Sequence, residues 1–136
     1  MNSSCYTAKM NPVCEGKLHP NAREGILLFN EGKYFEAHEE LETAWRAEKG
    51  KIRELYQGIL QAAVTYLHIT HGNYDGAIKV YGRSMKRLRN WPDFCRGVDV
   101  AQLRDNMDEV IAEVKRLGKE HLNEFDPAFF KPVKYD

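Results

Sequence analysis

Several features that would point to a particular class of protein are missing from this sequence. Its 136 residues include three cysteines, Cys5, Cys14 and Cys95, and no Cys-x-x-Cys pair. A disulfide framework needs pairs, so we expect these cysteines to be free thiols in a reducing compartment. Their spacing, even with His19 added, matches no zinc-binding pattern. The sequence therefore predicts neither a disulfide scaffold nor a zinc finger.

Long apolar runs and an excess of one charge are also missing. No run approaches the ~20 apolar residues that cross a bilayer, and the N-terminal stretch lacks the apolar segment of a secretory signal. Lys and Arg together number 20, as do Asp and Glu, so the formal net charge is zero. This balance is not typical of proteins that mainly bind nucleic acid or anionic membranes. We expect a cytoplasmic protein with neither as a partner.

Helical periodicity is the main positive feature. Residues 1–18 show no sustained period and are predicted to be a loosely ordered lead-in, followed by a single helical domain over residues 19–136. Apolar spacing and capping residues predict five helices, beginning near Pro20, Tyr34, Ile52, Tyr74 and Asp99. The final FDPAFFKPVKYD has too many prolines for a long helix and too many aromatics to remain in solvent. It predicts an extended arm that packs on the bundle.

An internal repeat indicates how the helices are paired. Residues 32–37 read GKYFEA, and residues 72–77 read GNYDGA, each at the start of the second helix of a hairpin. Glycine lets the chain reverse, the aromatic packs on the preceding helix, and alanine allows close helix approach. The predicted fold is therefore all-α, with two helical hairpins in a tetratricopeptide-like arrangement. A C-terminal capping helix and the arm complete it.

Polar residues lie among the apolar ones on two of these helices. At about 100° per residue, His38 falls on the same side as Tyr34, Leu41 and Trp45, with Glu42 at its margin. The helix from Ile52 is apolar around most of its circumference, and its narrow polar strip contains Gln57, Gln61 and His68. If the two helices pack antiparallel, these side chains meet. Their burial costs several kcal/mol unless they find partners.

Two longer stretches carry a family resemblance. FNEGKYFEAHEELETAW and YQGILQAAVTYLHITHGNYDGAIKVY resemble the family known as domain of unknown function 309, over about residues 20 to 90. The resemblance implies a small all-helical bundle without an established biochemical activity. The polar and aromatic positions of the family motif fall on Glu36, His38, Glu39, Glu42, Trp45, Gln57, Gln61, His68 and Asn73. It implies that these residues act together, without indicating their role.

Three interpretations of the polar residues remain open, and so does the question whether the protein is an enzyme. In the first, they form only a structural hydrogen-bond network that fixes helix register. In the second, His38, Glu42 and His68 bind a divalent metal ion, and Glu39 orients or deprotonates a bound water. The same four residues are the candidate catalytic residues. Against a metal site, HEELE is not the zincin HExxH, and the sequence has no Glu-x-x-His pair.

The third interpretation is a pocket for a small polar ligand or a peptide. Trp45 and Tyr66 would form its walls, and Gln57 and Gln61 would read the ligand. The function predicted from the sequence is thus a small-ligand or divalent-metal site in a helical bundle. The alternative is a protein-interaction module in which the polar cluster is only structural.

Charged residues on two helices bear on that alternative. One basic run on the predicted fourth helix comprises Lys79, Arg83, Lys86, Arg87 and Arg89. Such a run is usually a solvated surface, but it also suits an acidic partner or RNA. An acidic counterpart on and directly after the second helix comprises Glu36, Glu39, Glu40 and Glu48. The two groups together would allow a homo-oligomer in which copies associate head to tail.

Overall fold

Five helices make up most of the chain in the computed structural model, which describes residues 12–136. They are α1 (Pro20–Asn30), α2 (Tyr34–Ala47), α3 (Ile52–Thr70), α4 (Tyr74–Leu88) and α5 (Val100–His121). Strands β1 (Phe94–Cys95) and β2 (Val98–Asp99) form an antiparallel hairpin between α4 and α5. Single 3-10 turns lie at Pro12–Cys14, Leu122–Glu124 and Pro127–Phe129. The prediction of an all-α protein is confirmed. Within residues 12–136, no helix is both long and apolar enough to cross a membrane.

Helix ends follow the capping residues of the sequence. Pro20 is the first residue of α1, where its missing N–H has no helical partner to lose. The Asp99 carboxylate accepts the Gln102 N–H at 2.9 Å, which starts α5 as predicted. Gly118 interrupts α5 with a φ of 72°. Helical structure resumes after this kink and continues to His121.

The internal repeat of the sequence is also a repeat of structure. Gly32 and Gly72 both have positive φ, at 82° and 72°, at the ends of α1 and α3. After each glycine, the next N–H returns to a carbonyl five residues earlier: Lys33 to Leu28 at 2.9 Å, and Asn73 to His68 at 2.8 Å. This pattern is a Schellman-type helix end, which a left-handed glycine allows. Both hairpins therefore turn in the same way.

Helix α3 is the centre of the bundle, and the C-terminal arm covers one side of it. Ten of the nineteen α3 residues are buried, because α3 packs on both α2 and α4. Phe130 of the arm stacks on Tyr66, with ring centroids 4.5 Å apart. The Asn30 side chain donates to the Val133 carbonyl and accepts the Val133 N–H, at 2.9 and 2.7 Å. The predicted arm is confirmed.

The prediction of free thiols is wrong for two of the three cysteines. Cys14 and Cys95 form a disulfide, with their Cα atoms 4.3 Å apart. The 3-10 turn at Pro12–Cys14 lies beside β1 and brings the two residues together. Their separation of 81 residues gives no local sequence signal for this pairing. Cys5 lies outside the described residues. The disulfide removes the argument from free thiols on which the expected cytoplasmic location partly rested.

Residues 12–18 are attached to the β hairpin by Arg96 as well as by the disulfide. The Arg96 N–H donates to the Cys14 carbonyl at 2.9 Å. Its guanidinium donates to the carbonyls of Val13 and Lys17, at 2.9 and 3.1 Å. This part of the predicted lead-in is therefore held in place. Residues 1–11 are outside the described part of the chain.

Candidate functional site

His38 makes its hydrogen bond within its own helix. Its Nδ1 lies 3.2 Å from the Phe35 carbonyl oxygen, and its ring lies beside that of Phe35, with centroids 5.6 Å apart. A carbonyl oxygen only accepts hydrogen bonds, so Nδ1 carries the hydrogen and Nε2 is left as the acceptor of the neutral ring. The side chain is half-buried on α2. The hydrogen bond of His38 Nδ1 therefore lies within α2 and does not reach α3.

His68 is held in the opposite tautomer by Asn73. The Asn73 Oδ1 accepts the Gly76 N–H at 2.9 Å, which turns Nδ2 toward His68 Nδ1, 3.2 Å away. An amide nitrogen only donates, so His68 Nδ1 accepts, and the neutral ring carries its hydrogen on Nε2. In this arrangement neither ring nitrogen of neutral His68 has a free lone pair.

The predicted metal set therefore has no support in the structure. A ligating imidazole must present a nitrogen with a free lone pair, which neutral His68 does not do while its Nδ1 accepts the hydrogen bond from Asn73. Glu42 forms an ion pair with Arg46 at 3.5 Å on the same helix. Over residues 12–136, no group of three or more His, Cys, Asp or Glu side chains is placed to hold a metal ion. Glu39, the predicted water-orienting residue, is exposed.

The residues predicted to form a ligand pocket make separate contacts in the structure. Tyr66 is completely buried under Phe130, which explains why it cannot act as a pocket wall. Burial also raises the pKa of its hydroxyl. Trp45 is covered by the guanidinium of Arg53, whose carbon lies 4.7 Å from the ring centroid. Gln57 is half-buried on α3.

Gln61, in the polar strip of α3, and Glu54 on the same helix contact α4 instead of α2. Arg87 places its Nε 3.4 Å from the Glu54 carboxylate and its Nη1 3.4 Å from the Gln61 side-chain oxygen. The Ser84 hydroxyl, also on α4, is buried and donates to the Gly58 carbonyl at 2.7 Å. The sequence interpretation had assigned Arg87 to the basic surface run and so missed this contact. The absence of an acidic residue near Arg87 on α4 was the signal that its partner lies elsewhere.

A basic cleft lies between the start of α3 and the end of α4. Its volume is about 580 Å³, and it is lined by Lys51, Glu54, Lys86, Arg87, Asn90 and Trp91. Glu54 is already paired with Arg87, whereas Lys51 and Lys86 have no ion pair with any described residue. The half-buried side chain of Trp91 forms an aromatic wall of the cleft. The arrangement suits an anion that also carries apolar surface.

Arg104 of α5 fixes the end of α4 where the cleft opens. Its Nη1 donates to the carbonyls of Leu88 and Trp91, at 2.9 and 3.1 Å. Its Nη2 donates to the Asp93 carboxylate at 2.7 Å. A positive charge at the carboxyl end of a helix also matches the helix dipole. The Trp91 backbone is therefore held in place.

Comparison with known proteins finds matches that include residues of the first four helices. Residues 22–80 match the model of the family described as Domain of unknown function (DUF309), which confirms the resemblance seen in the motifs. A protein of Aquifex aeolicus (strain VF5), named "Uncharacterized protein", is 29% identical over 97 residues. That alignment covers 71% of this chain but only 29% of the relative, so the chain spans less than a third of the relative's length. The matched family range ends within α4, before Lys86 and Trp91.

Proposed function

We propose that this chain is a protein-interaction module that binds an acidic segment of a partner protein. The binding surface is the basic face, which we define as Lys51, Lys79, Arg83, Lys86, Arg87 and Trp91. The observation that carries the proposal is the cleft of about 580 Å³, in which unpaired lysines stand beside an aromatic wall.

The charges of the basic face favour an anionic partner. Lys79, Arg83 and Lys86 follow one another along α4 at intervals of four and three residues, so they share one side of the helix. All three are exposed, and none forms an ion pair with another residue in the part of the chain that the structure describes. Like charges at this spacing repel by a few tenths of a kcal/mol per pair. An acidic segment that lies along α4 would relieve this repulsion.

The aromatic wall favours a protein segment over a simple ion. Tryptophan and arginine are enriched among the residues that contribute most to protein interfaces. A cleft of this volume accepts one large side chain, with polar groups at its rim. An aromatic residue flanked by Asp or Glu therefore matches the cleft. Its ring would pack against Trp91 while the carboxylates approach Lys51 and Lys86.

Two features of the bundle support a binding role. The identical turns at Gly32 and Gly72 support a tetratricopeptide-like stacking of the two hairpins, and stacked hairpins of that kind present extended binding surfaces. The local hydrogen bonds of His38 and His68 support the interpretation of the polar residues as structural. A small-ligand site at those residues has no comparable support.

Titration of a labelled acidic peptide tests the proposal. The probe is a fluorescein-labelled peptide of twelve residues, with one central Phe among Asp and Glu, and binding is followed by fluorescence anisotropy. We expect saturable binding by the wild type and at least tenfold weaker binding by the double variant Arg83→Glu, Lys86→Glu. Lys115 is exposed on α5, outside the basic face, so Lys115→Glu is the control. It reverses one charge where the double variant reverses two, and it should bind as the wild type does.

Three results would contradict the proposal. The first is equal binding by the wild type and the double variant. The second is tighter binding of a twelve-nucleotide single-stranded RNA than of the peptide, which would assign the basic face to nucleic acid. The third is a dimer that is abolished by Lys86→Glu in sedimentation, without peptide binding. That result would assign the basic face to the acidic α2 surface of a second copy.

A further inference from the structure

A second cleft, separate in its lining from the basic cleft, lies near the start of α1, where four separate parts of the chain meet. Its volume is about 470 Å³, and its charged and aromatic lining consists of Lys17, Arg23, Arg96, Tyr135 and Asp136. Lys17 belongs to the segment before α1, and Arg23 to the first turns of α1. Arg96 is in the β hairpin, and the last two residues belong to the arm. The basic face has no residue in this cleft.

The three cations of this cleft are not neutralised by ion pairs. None of the ion pairs among residues 12–136 includes Lys17, Arg23 or Arg96. The Arg23 guanidinium carbon lies 6.0 Å from the centre of the Tyr135 ring, and the arginine is exposed. One acidic residue, Asp136, shares the cleft. Three cations beside one acidic residue leave an excess of positive charge that favours an anionic ligand.

Arg96 is held in position by its neighbours at a conformational cost. Its φ is 49°, in the left-handed region that residues with a side chain disfavour. Gly97 follows with a φ of 86°, so both residues of the hairpin turn have positive φ. Such turns usually contain Asn-Gly, which adopts these angles more readily than Arg-Gly does. Two of the Arg96 guanidinium nitrogens bind the carbonyls of Val13 and Lys17. The guanidinium also contacts the Tyr56 side chain, so its position at the cleft is fixed from three sides.

The disulfide joins two walls of this cleft. Cys14 lies three residues before Lys17, and Cys95 directly precedes Arg96. Cys95 is 1% exposed and therefore anchored in the core, while Cys14 is only half-buried. Without the disulfide, residues 12–18 would be held on the hairpin mainly by the hydrogen bonds of Arg96. The disulfide therefore adds a covalent link to the three hydrogen bonds by which Arg96 holds the segment that carries Lys17.

We propose that this cleft binds a small soluble anion that carries phosphate, such as a diphosphate, and that the Cys14–Cys95 disulfide controls the binding. Guanidinium groups match phosphate oxygens in pairs, and the lysine adds a mobile point charge. A dithiol reductant supplies two electrons and two protons. The S–S bond breaks to give two thiols, and the reductant closes to its own disulfide. Reduction then leaves the wall that carries Lys17 held only by non-covalent contacts, which loosens it and weakens anion binding.

Calorimetric titration with sodium pyrophosphate tests both parts of the proposal on the full chain. We expect the oxidised protein to bind, and Arg23→Gln to bind at least tenfold more weakly. Reduction with dithiothreitol, or the double variant Cys14→Ser, Cys95→Ser, should also weaken binding at least tenfold. Lys86→Gln in the basic face is the control and should bind as the wild type does. Far-UV circular dichroism records whether the reduced protein keeps its helices.

Several outcomes would overturn the proposal. Failure of the oxidised protein to bind pyrophosphate removes the site, and equal affinity of oxidised and reduced protein removes the redox control. Loss of binding in Lys86→Gln would assign the anion to the other cleft. If the reduced protein loses its helices, the site is tested by Arg23→Gln in the oxidised protein alone. Unchanged pyrophosphate affinity in that variant would overturn the proposal. Binding to vesicles containing phosphatidic acid, without binding of pyrophosphate, would replace the soluble ligand by a lipid surface.

Discussion

Asn73 connects His68 at the end of α3 to the first turn of α4. Its Oδ1 lies 2.9 Å from the Gly76 nitrogen, and its Nδ2 lies 3.2 Å from His68 Nδ1. One side chain thus caps a helix and fixes the tautomer of a histidine in the preceding helix. The family motif includes both residues, and the structure gives them a local structural role.

Substitution of Asn73 separates the two contacts. Asn73→Ala removes both and should lower the free energy of unfolding by about 1–2 kcal/mol, as measured by urea denaturation. Asn73→Asp keeps an oxygen for the Gly76 N–H but loses the amide donor to His68, so it should recover most of that loss. Equal losses in the two variants would show that the cap contributes little.

Two helical glycines provide a matched pair for packing. A Cβ at Gly25 would lie 2.7 Å from Leu41 Cγ and 3.1 Å from the Ala37 carbonyl oxygen, so α1 and α2 would have to separate. Gly25→Ala should therefore destabilise the protein by about 1–3 kcal/mol. Gly82 on α4 has open space around it, and Gly82→Ala should stabilise by about 1 kcal/mol through helix propensity. Thermal unfolding that ranks them in the opposite order would contradict the α1–α2 packing.

Buried tyrosines should make the protein sensitive to alkali. Burial raises the pKa of Tyr34 from 10.0 to about 12. The unfolded chain therefore loses this proton at lower pH than the folded chain does, and the stabilisation present below pH 10 is lost as the pH rises toward 12. Urea denaturation between pH 9 and 12 should show a steeper decline for the wild type than for Tyr34→Phe. Parallel curves would mean that Tyr34 ionises normally.

The arm should be released by loss of one side chain. Asn30 makes two hydrogen bonds to the Val133 backbone, so Asn30→Ala should loosen the arm and speed tryptic cleavage after the exposed Lys134. Asn21→Ala is the control, because Asn21 bonds the Glu40 side chain, away from the arm. Equal cleavage rates in the two variants would show that other contacts hold the arm.

Local signals in the sequence were enough to predict the helices, the two matching turns and the arm. Each depends on residues close in the chain: Pro20 at a helix start, Gly32 and Gly72 at turns, and Asp99 at a cap. The Cys14–Cys95 disulfide could not be predicted, because it joins residues 81 positions apart and is set by how the hairpin packs.

The polar cluster between α2 and α3 was predicted from helical wheels, which give the face of a residue but not its partner. The His38 ring makes its hydrogen bond within its own helix, and the Gln61 side chain accepts a hydrogen bond from Arg87 of α4. A helical wheel also assigns an arginine on a basic helix to the solvent-exposed face, although the long arginine side chain can reach a neighbouring helix. The basic cleft needed the relative position of α3 and α4, which no single helix specifies.

The two tryptophans of the chain allow the central claim, that the basic face binds an acidic segment, to be tested in one experiment. Trp91 lines the basic cleft, whereas Trp45 lies on α2 under Arg53. In a 15N-labelled sample titrated with the acidic Phe-containing peptide, the indole N–H signal of Trp91 should shift saturably and that of Trp45 should stay in place. A shift of Trp45 alone, or no shift of either signal at saturating peptide, would contradict the claim.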